Sequence, residues 1–372
     1  MPTPLRVLMI DSETTWRGGE NQLYLLMHGL RETTNTEVVL ASPPGAAIAQ
    51  RAAELGVDQV PLPIRGGMDL VAAATLRRHL RSGRFDIVHC HASHAHGIAF
   101  LATWPRRKPF VVISRRVDFA FAKRGPSALK YRWGADLYLA ISNGVRDVLV
   151  QGGVDPSRIV LVRSGIDLAR HQRLRDTRAL RAELGLGESG TIAVGSVAAL
   201  APHKSLTDFI RAARLVADEM PSARFFIVGE GRERPRLEAL VRELGLADRF
   251  VLTGFRDDAL EILSLLDCFV LSSSLEGLCT SIMDAQVLGV PVVATRTGGV
   301  PDLVQDGDTG LLVPPREPHA LAAGILRLLR DDALRASVVR KARERSSLYG
   351  YQTMVAATQA AYAQLTRRPA GS

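Results

Sequence analysis

Lysine is scarce in this 372-residue chain, occurring only at positions 108, 123, 130, 204 and 341, so the formal net charge of +9 rests almost wholly on arginine. Such an excess favours anionic partners: nucleotides, phospholipid surfaces or nucleic acid. Cysteine is scarcer still. Cys90, Cys268 and Cys279 lie far apart or in apolar or loop context, which excludes a zinc pattern or a disulfide framework and suits a reducing compartment. No low-complexity tract is present, which argues against a disordered or fibrous chain. No apolar run approaches the ~20 residues of a membrane-spanning helix, and Val7–Ile10 is too short for the core of a signal peptide. A cytoplasmic location is therefore expected. No Gly-x-Gly-x-x-Gly follows Ile10 and no Walker lysine motif occurs anywhere, which excludes the two commonest phosphate fingerprints.

What is present is a globular composition, 47% apolar and 23% charged, at a length that allows two domains with a core each. Short apolar or β-branched runs alternate with amphipathic stretches of helix length, the pattern of parallel sheets wrapped by helices. The α/β reading places strands at 6–10, 37–41, 59–62, 86–90, 110–114, 137–142 and 159–162. After a polar, arginine-rich stretch at 169–181, with glycines at 185, 187 and 190 beyond it, further strands are expected at 191–197, 224–228, 250–252, 268–271 and 291–294. Helices are expected to begin near residues 205, 232, 257, 280 and 319, and a last amphipathic one to occupy 346–368. Two Rossmann-like sheets in series are implied, with ligands beyond the carboxyl ends of their strands.

Three loops at such ends carry polar residues. Asp11–Glu20 closes on Gly18 and Gly19 before an amphipathic helix, an arrangement that serves either as a plain strand-to-helix turn or as an approach for phosphate. Residues 89–96 hold four of the nine histidines, His89, His91, His94 and His96. Strand alternation turns His89 and His91 the same way, so one is read as structural and the other as functional; no carboxylate or cysteine pattern supports tight zinc binding there. In the third loop Glu276 precedes Gly277, Leu278, Cys279 and Thr280, which open a helix, and Asp284 follows further along it. This reads as a capped, solvated helix start or as a phosphate site flanked by two carboxylates. Lys204, in a chain that otherwise uses arginine, suggests a point charge wanted at its own loop. Between Arg106 and Arg132, nine basic residues face one acid, Asp118, with Trp104, Phe110, Phe119, Phe121 and Tyr131 among or beside them. A solvated loop region and a surface for a membrane or an anionic acceptor both fit. No nucleic-acid recognition motif accompanies them.

Taken in order, Gly18-Gly19-Glu20, Asp86-Ile87-Val88-His89-Cys90-His91, Ala140-Ile141-Ser142, Ser164-Gly165-Ile166-Asp167, Val228-Gly229-Glu230-Gly231, Leu252-Thr253-Gly254-Phe255, Glu276 with Asp284, and Thr297-Gly298-Gly299-Val300-Pro301 before Asp306-Gly307-Asp308-Thr309-Gly310 resemble one family over essentially the whole chain. It is the retaining glycosyltransferases of the family 4 type, glycosyl transferases group 1, with the GT-B fold of two Rossmann-like domains facing across a cleft. The resemblance implies an N-terminal acceptor domain over 1–168, with the helix at about 347–368 packing back on it, and a donor domain over 169–346. It implies transfer of a hexose or N-acetylhexosamine from a nucleoside-diphosphate sugar to a lipid-linked or cell-surface glycan acceptor, with no cofactor, no metal and no nucleic acid. In that picture His91 and Glu276 are catalytic. Lys204, Gly277, Leu278, Cys279 and Thr280 hold the donor diphosphate, Gly18 and Gly19 let the backbone reach the donor pyrophosphate or the acceptor, Asp284 takes the ribose and Arg256 the base, while Arg115, Arg116 and His94 reach phosphate or acceptor. The protein would sit in the cytoplasm, peripheral on the inner membrane face through the 106–132 region.

Three departures stand out. Ala198 and Ala199 occupy the places of a usual phosphate arginine, for which Arg115 or Arg116 could substitute; Asp284 replaces a longer glutamate; Ser205 replaces a glycine. The departures leave room for a non-catalytic nucleotide-sugar or glycan-binding protein, and the shared architecture for a nucleotide-sugar 2-epimerase.

Overall fold

The computed structural model describes residues 4–33, 35–105, 109–119, 121, 125–188 and 190–367. The chain forms two compact units, Met1–Ile166 with Tyr351–Ser372, and Asp167–Gly350.

The first unit carries seven strands: β1 Leu5–Ile10, β2 Thr36–Ser42, β3 Asp58–Pro61, β4 Ile87–Cys90, β5 Phe110–Arg115, β6 Leu137–Ala140 and β7 Ile159–Leu161. They pair in parallel in the order β3-β2-β1-β4-β5-β6-β7, the Rossmann order, in which the winding reverses between β1 and β4. Burial on both faces explains the near-continuous apolar runs of the central strands: Val7–Ile10 and β4 are fully buried. Register places Ile10 opposite Cys90, so the next residues, Asp11 and His91, emerge together at the switch point.

The last stretch of chain differs from the single expected helix. A helix over Asp332–Ser346 is followed by a 3-10 turn at Ser347–Tyr349, a break at Gly350 in extended conformation, and a helix over Tyr351–Thr366. This closing helix belongs to the first unit. Its Tyr351, Met354, Val355, Tyr362 and Leu365 share a core with Leu23, Leu26, Met27 and Leu30 of the helix Gly18–Thr33. The two helices meet at Gly29, where a Cβ would lie 2.5 Å from Val355 Cγ2. Tyr351 N also donates to the carbonyl of Ile166 at 3.0 Å.

The second unit repeats the order with β8 Ile192–Val197, β9 Ala223–Val228, β10 Phe250–Gly254, β11 Cys268–Leu271, β12 Val292–Thr295 and β13 Leu311–Val313, arranged β10-β9-β8-β11-β12-β13 and parallel throughout. Its switch point lies between β8 and β11. The core holds Phe209, Phe225 and Phe250 in mutual ring contact. The architecture is therefore α/β with two Rossmann-like domains. The sequence reading has no strand at β13, whose three residues run straight into Pro314 and Pro315, and proline cannot extend a ladder.

Candidate functional site

In the second unit the loops after β8 and β11 are laced together beside the switch point. Ser274 N donates to the carbonyl of His203 at 2.8 Å, Ser272 Oγ to that of Lys204 at 2.9 Å, and Ser281 Oγ to that of Val197 at 3.1 Å. This lacing brings Lys204 Nζ to 2.5 Å from Glu276 Oε2, with side chains only 16% and 11% exposed; Ser273 Oγ donates to the same carboxylate oxygen at 3.1 Å. Directly beyond, the helix Thr280–Leu288 starts at Cys279 without a side-chain cap, so its first N–H groups and its dipole remain available to an anion. Leu278 and Cys279 turn their side chains into the protein. Burial first and the Glu276 charge second push the Cys279 thiol up to about 12, far from a nucleophilic thiolate. The lysine loop owes its shape to Ser205, whose φ of +47° is left-handed, a conformation that favours glycine.

Asp284 lies on this helix with Oδ1 2.9 Å from His171 Nε2, while His171 Nδ1 lies 3.2 Å from the carbonyl of Asp167. Sequence reasoning missed His171, which sits in the stretch read there as an interdomain boundary. Arg256 is clamped: Nε and Nη2 each donate to Asp258 at 2.7 Å, and Nη1 to Glu183 at 2.7 Å. Its donors thus hold the helix Arg178–Glu183 in place. Ala198 and Ala199 present no charge in this loop.

The first unit gathers a second cluster where β1, β4 and β5 end. Asp11 is buried, its Oδ1 accepting from the N–H groups of Ser12 at 2.8 Å and Glu13 at 3.3 Å. Burial, reinforced by the Glu20 charge, pushes its carboxyl up to about 6. Glu20, on the third residue of the helix Gly18–Thr33, reaches back to Arg17 N at 2.7 Å in the manner of a capping box, and burial raises its pKa too. Arg116 Nη2 lies 3.1 Å from His91 Nδ1. Burial pulls this guanidinium down to about 10, against the opposing pull of Asp11 and Glu20. His91 Nε2 and Arg116 Nε are buried without a protein partner.

The two strand histidines differ in their surroundings. His89 is fully buried, with Nδ1 2.6 Å from Tyr362 Oη and Nε2 2.8 Å from Ser114 Oγ; it is structural, and burial takes its pKa down to about 3. His91 is half-buried, its ring 4.1 Å from that of His89, and its pKa is depressed by burial, by His89 and by Arg116. Gly18 and Gly19 open their helix with nothing within 4 Å of a Cβ at either, so the protein's own packing does not require glycine there. The adjacent arginines part ways: Arg115 donates to Tyr131 Oη at 2.6 Å and to the carbonyl of Phe119 at 2.5 Å, and so braces the β5 loop rather than pointing to a ligand. His94 is exposed on the first turn of the helix Ser93–Thr103. Arg106, Arg107, Lys108, Lys123 and Arg124 of the basic stretch lie outside the described residues. Among the described residues, no three His, Cys, Asp or Glu side chains gather as a metal site requires.

Two Rossmann-ordered sheets, each ending at its switch point in a cluster of charged loop residues, define a two-domain α/β protein with a candidate ligand site at each switch point. The chain belongs to the family 4 type glycosyltransferases of GT-B fold: residues 16–170 match Glycosyltransferase Family 4 and residues 177–345 match Glycosyl transferases group 1. It is 28% identical to N-acetyl-α-D-glucosaminyl L-malate synthase of Bacillus anthracis over 74% of either chain. It is 27% identical to UDP-Gal:α-D-GlcNAc-diphosphoundecaprenol α-1,3-galactosyltransferase of Escherichia coli over 72% of either. Anabaena HepE in complex with UDP-glucose superposes with a TM-score of 0.82 at 20% identity, covering 97% of this chain and 100% of that one.

Proposed function

We propose that this glycosyltransferase moves a hexose or N-acetylhexosamine from a nucleoside-diphosphate sugar to a lipid-linked or cell-surface glycan acceptor, with retention at the anomeric carbon and without metal or cofactor. The observation that carries the reading is Lys204 held at Glu276 beside the uncapped start of the helix Thr280–Leu288. A lysine and several convergent N–H groups suit a diphosphate leaving group. In this reading Lys204 leaves Glu276 for the diphosphate, the N–H groups from Gly277 to Thr280 share its charge, and Glu276 turns to the sugar hydroxyls. Asp284 takes the ribose. His91 hydrogen-bonds the reacting sugar, and the open glycines 18 and 19 let a ligand approach the helix start. The C1–O bond to the diphosphate breaks with its electron pair on the leaving oxygen; the acceptor hydroxyl oxygen bonds C1 on the same face, and its proton passes to the diphosphate.

Relatives that act on lipid-linked or surface acceptors support the acceptor class. Two exposed apolar residues four apart, Leu129 at 55% and Trp133 at 66%, flank Lys130 and Arg132 on the helix Gly125–Trp133 and support peripheral membrane association from the cytoplasmic side. No described helix is long and apolar enough to cross a membrane. The test is a thermal-shift panel of nucleoside diphosphates followed by the matching sugar nucleotides. One base should raise the melting temperature selectively, and its sugar nucleotide should release the diphosphate when an acceptor is supplied. A donor consumed without acceptor and without released diphosphate would favour an epimerase; binding with no turnover would favour a non-catalytic protein.

A further inference from the structure

We propose that Arg116 is a positioning residue that fixes His91 as the Nε2–H tautomer, so that His91 meets its ligand as a neutral hydrogen-bond donor and not as a base. The inference rests on the reading of His91 as a sugar contact, but its first test does not.

Geometry leaves little choice of tautomer. Arginine has donors and no acceptor, so the 3.1 Å approach of Arg116 Nη2 to His91 Nδ1 requires a lone pair on Nδ1. The ring proton is then on Nε2, the buried atom that no protein group satisfies. A buried N–H without an acceptor is costly, and a ligand oxygen is the partner it lacks. The ring cannot rotate away easily, because it lies 4.1 Å from His89, itself held by Tyr362 of the closing helix and Ser114 of β5.

The groups around His91 also disfavour a second proton. Burial first, then His89 on β4 and Arg116 after β5, lower its basicity. Asp11 after β1 and Glu20 on the helix Gly18–Thr33 act on Arg116, whose pKa they raise, and so keep the guanidinium charged despite its burial. The two carboxylates therefore support the lock at one remove. Neither is within hydrogen-bond distance of His91.

The test is ring-nitrogen NMR on histidine-labelled full-length protein, with His91 assigned by its loss in His91→Gln. The wild type should show protonated Nε2 and bare Nδ1; the reverse pattern overturns the proposal outright. In Arg116→Met the two tautomers should mix, and the His91 pKa should rise while staying below its ordinary value, since burial and His89 still depress it. Arg116→Lys, which keeps a donor and a charge, should restore the wild-type signature at least in part. In turnover, Arg116→Met should gain a new acid limb and lose roughly tenfold in kcat, with donor KM within about twofold. A flat profile in Arg116→Met with the wild-type tautomer retained would show Arg116 to be merely structural. If His91→Gln transfers normally, the sugar-contact reading fails, while the ring-nitrogen result still decides the lock.

Discussion

Removing the ammonium of Lys204 separates its two roles. In the free protein it partners Glu276 at 2.5 Å, and both side chains are mostly buried. In the complex it is to partner the diphosphate. Lys204→Met keeps the length of the side chain and deletes the charge. A charge-assisted hydrogen bond contributes about 1.5–3 kcal/mol, but the wild-type lysine must first leave Glu276, so the lower part of that range applies: roughly 10- to 30-fold weaker nucleoside-diphosphate binding by calorimetry. Stability should also fall by about 1–3 kcal/mol in chemical denaturation, since the Glu276 charge stays behind in a largely dry site. Glu276→Gln discriminates. It frees the lysine, so the nucleoside diphosphate should bind as tightly as in the wild type or more tightly, while transfer collapses. The reasoning is refuted if Lys204→Met binds within twofold of the wild type, or if Glu276→Gln weakens the nucleotide as much as the lysine variant does.

Three further outcomes follow from local geometry. Asp11 has a folded pKa of about 6 against about 3.9 unfolded, so the folded state binds the extra proton and stability falls as pH rises through that window; Asp11→Asn should abolish this decline and raise the unfolding free energy at pH 7 by up to about 2 kcal/mol, as read from denaturation at several pH values, with no gain contradicting the account. Ser205→Gly relieves a left-handed φ of +47° and should leave stability unchanged or raise it by up to about 1 kcal/mol in thermal melts, whereas Ser205→Val should lower it. His171→Ala should weaken donor binding on the order of fivefold, about 1 kcal/mol, through a released Asp284; an unchanged donor KM would remove Asp284 from the donor site.

Most of the fold was legible because a parallel sheet buried on both faces writes its strands as solid apolar runs, as in Val7–Ile10, Val111–Ile113 and Phe269–Leu271. The three residues of β13 carry too little of that signal. Lys204 and Glu276 were legible as loop residues after strands, though not as a pair, since 72 positions separate them. Asp11 could have been found by the same rule, being the first residue after β1. Strand alternation alone did not separate His89 from His91, since it puts both rings on one face; what separates them in the structure is Tyr362, 273 positions from His89. Arg115 and Arg116 are equally alike in sequence, and only the positions of Tyr131, Phe119 and His91 assign them different work. His171 and Glu183 lay hidden in a polar stretch whose helices, Leu168–His171 and Arg178–Glu183, are short and become recognisable through their partners Asp284 and Arg256.

The grip of Lys204 and the start of the helix Thr280–Leu288 on a diphosphate is open to direct observation. A crystal structure with the nucleoside diphosphate selected by thermal shift tests it most directly. Diphosphate oxygens should lie at about 3 Å from Lys204 Nζ and from N–H groups between Gly277 and Thr280, with the Lys204–Glu276 contact broken. A nucleotide bound elsewhere, with that contact intact, would contradict it.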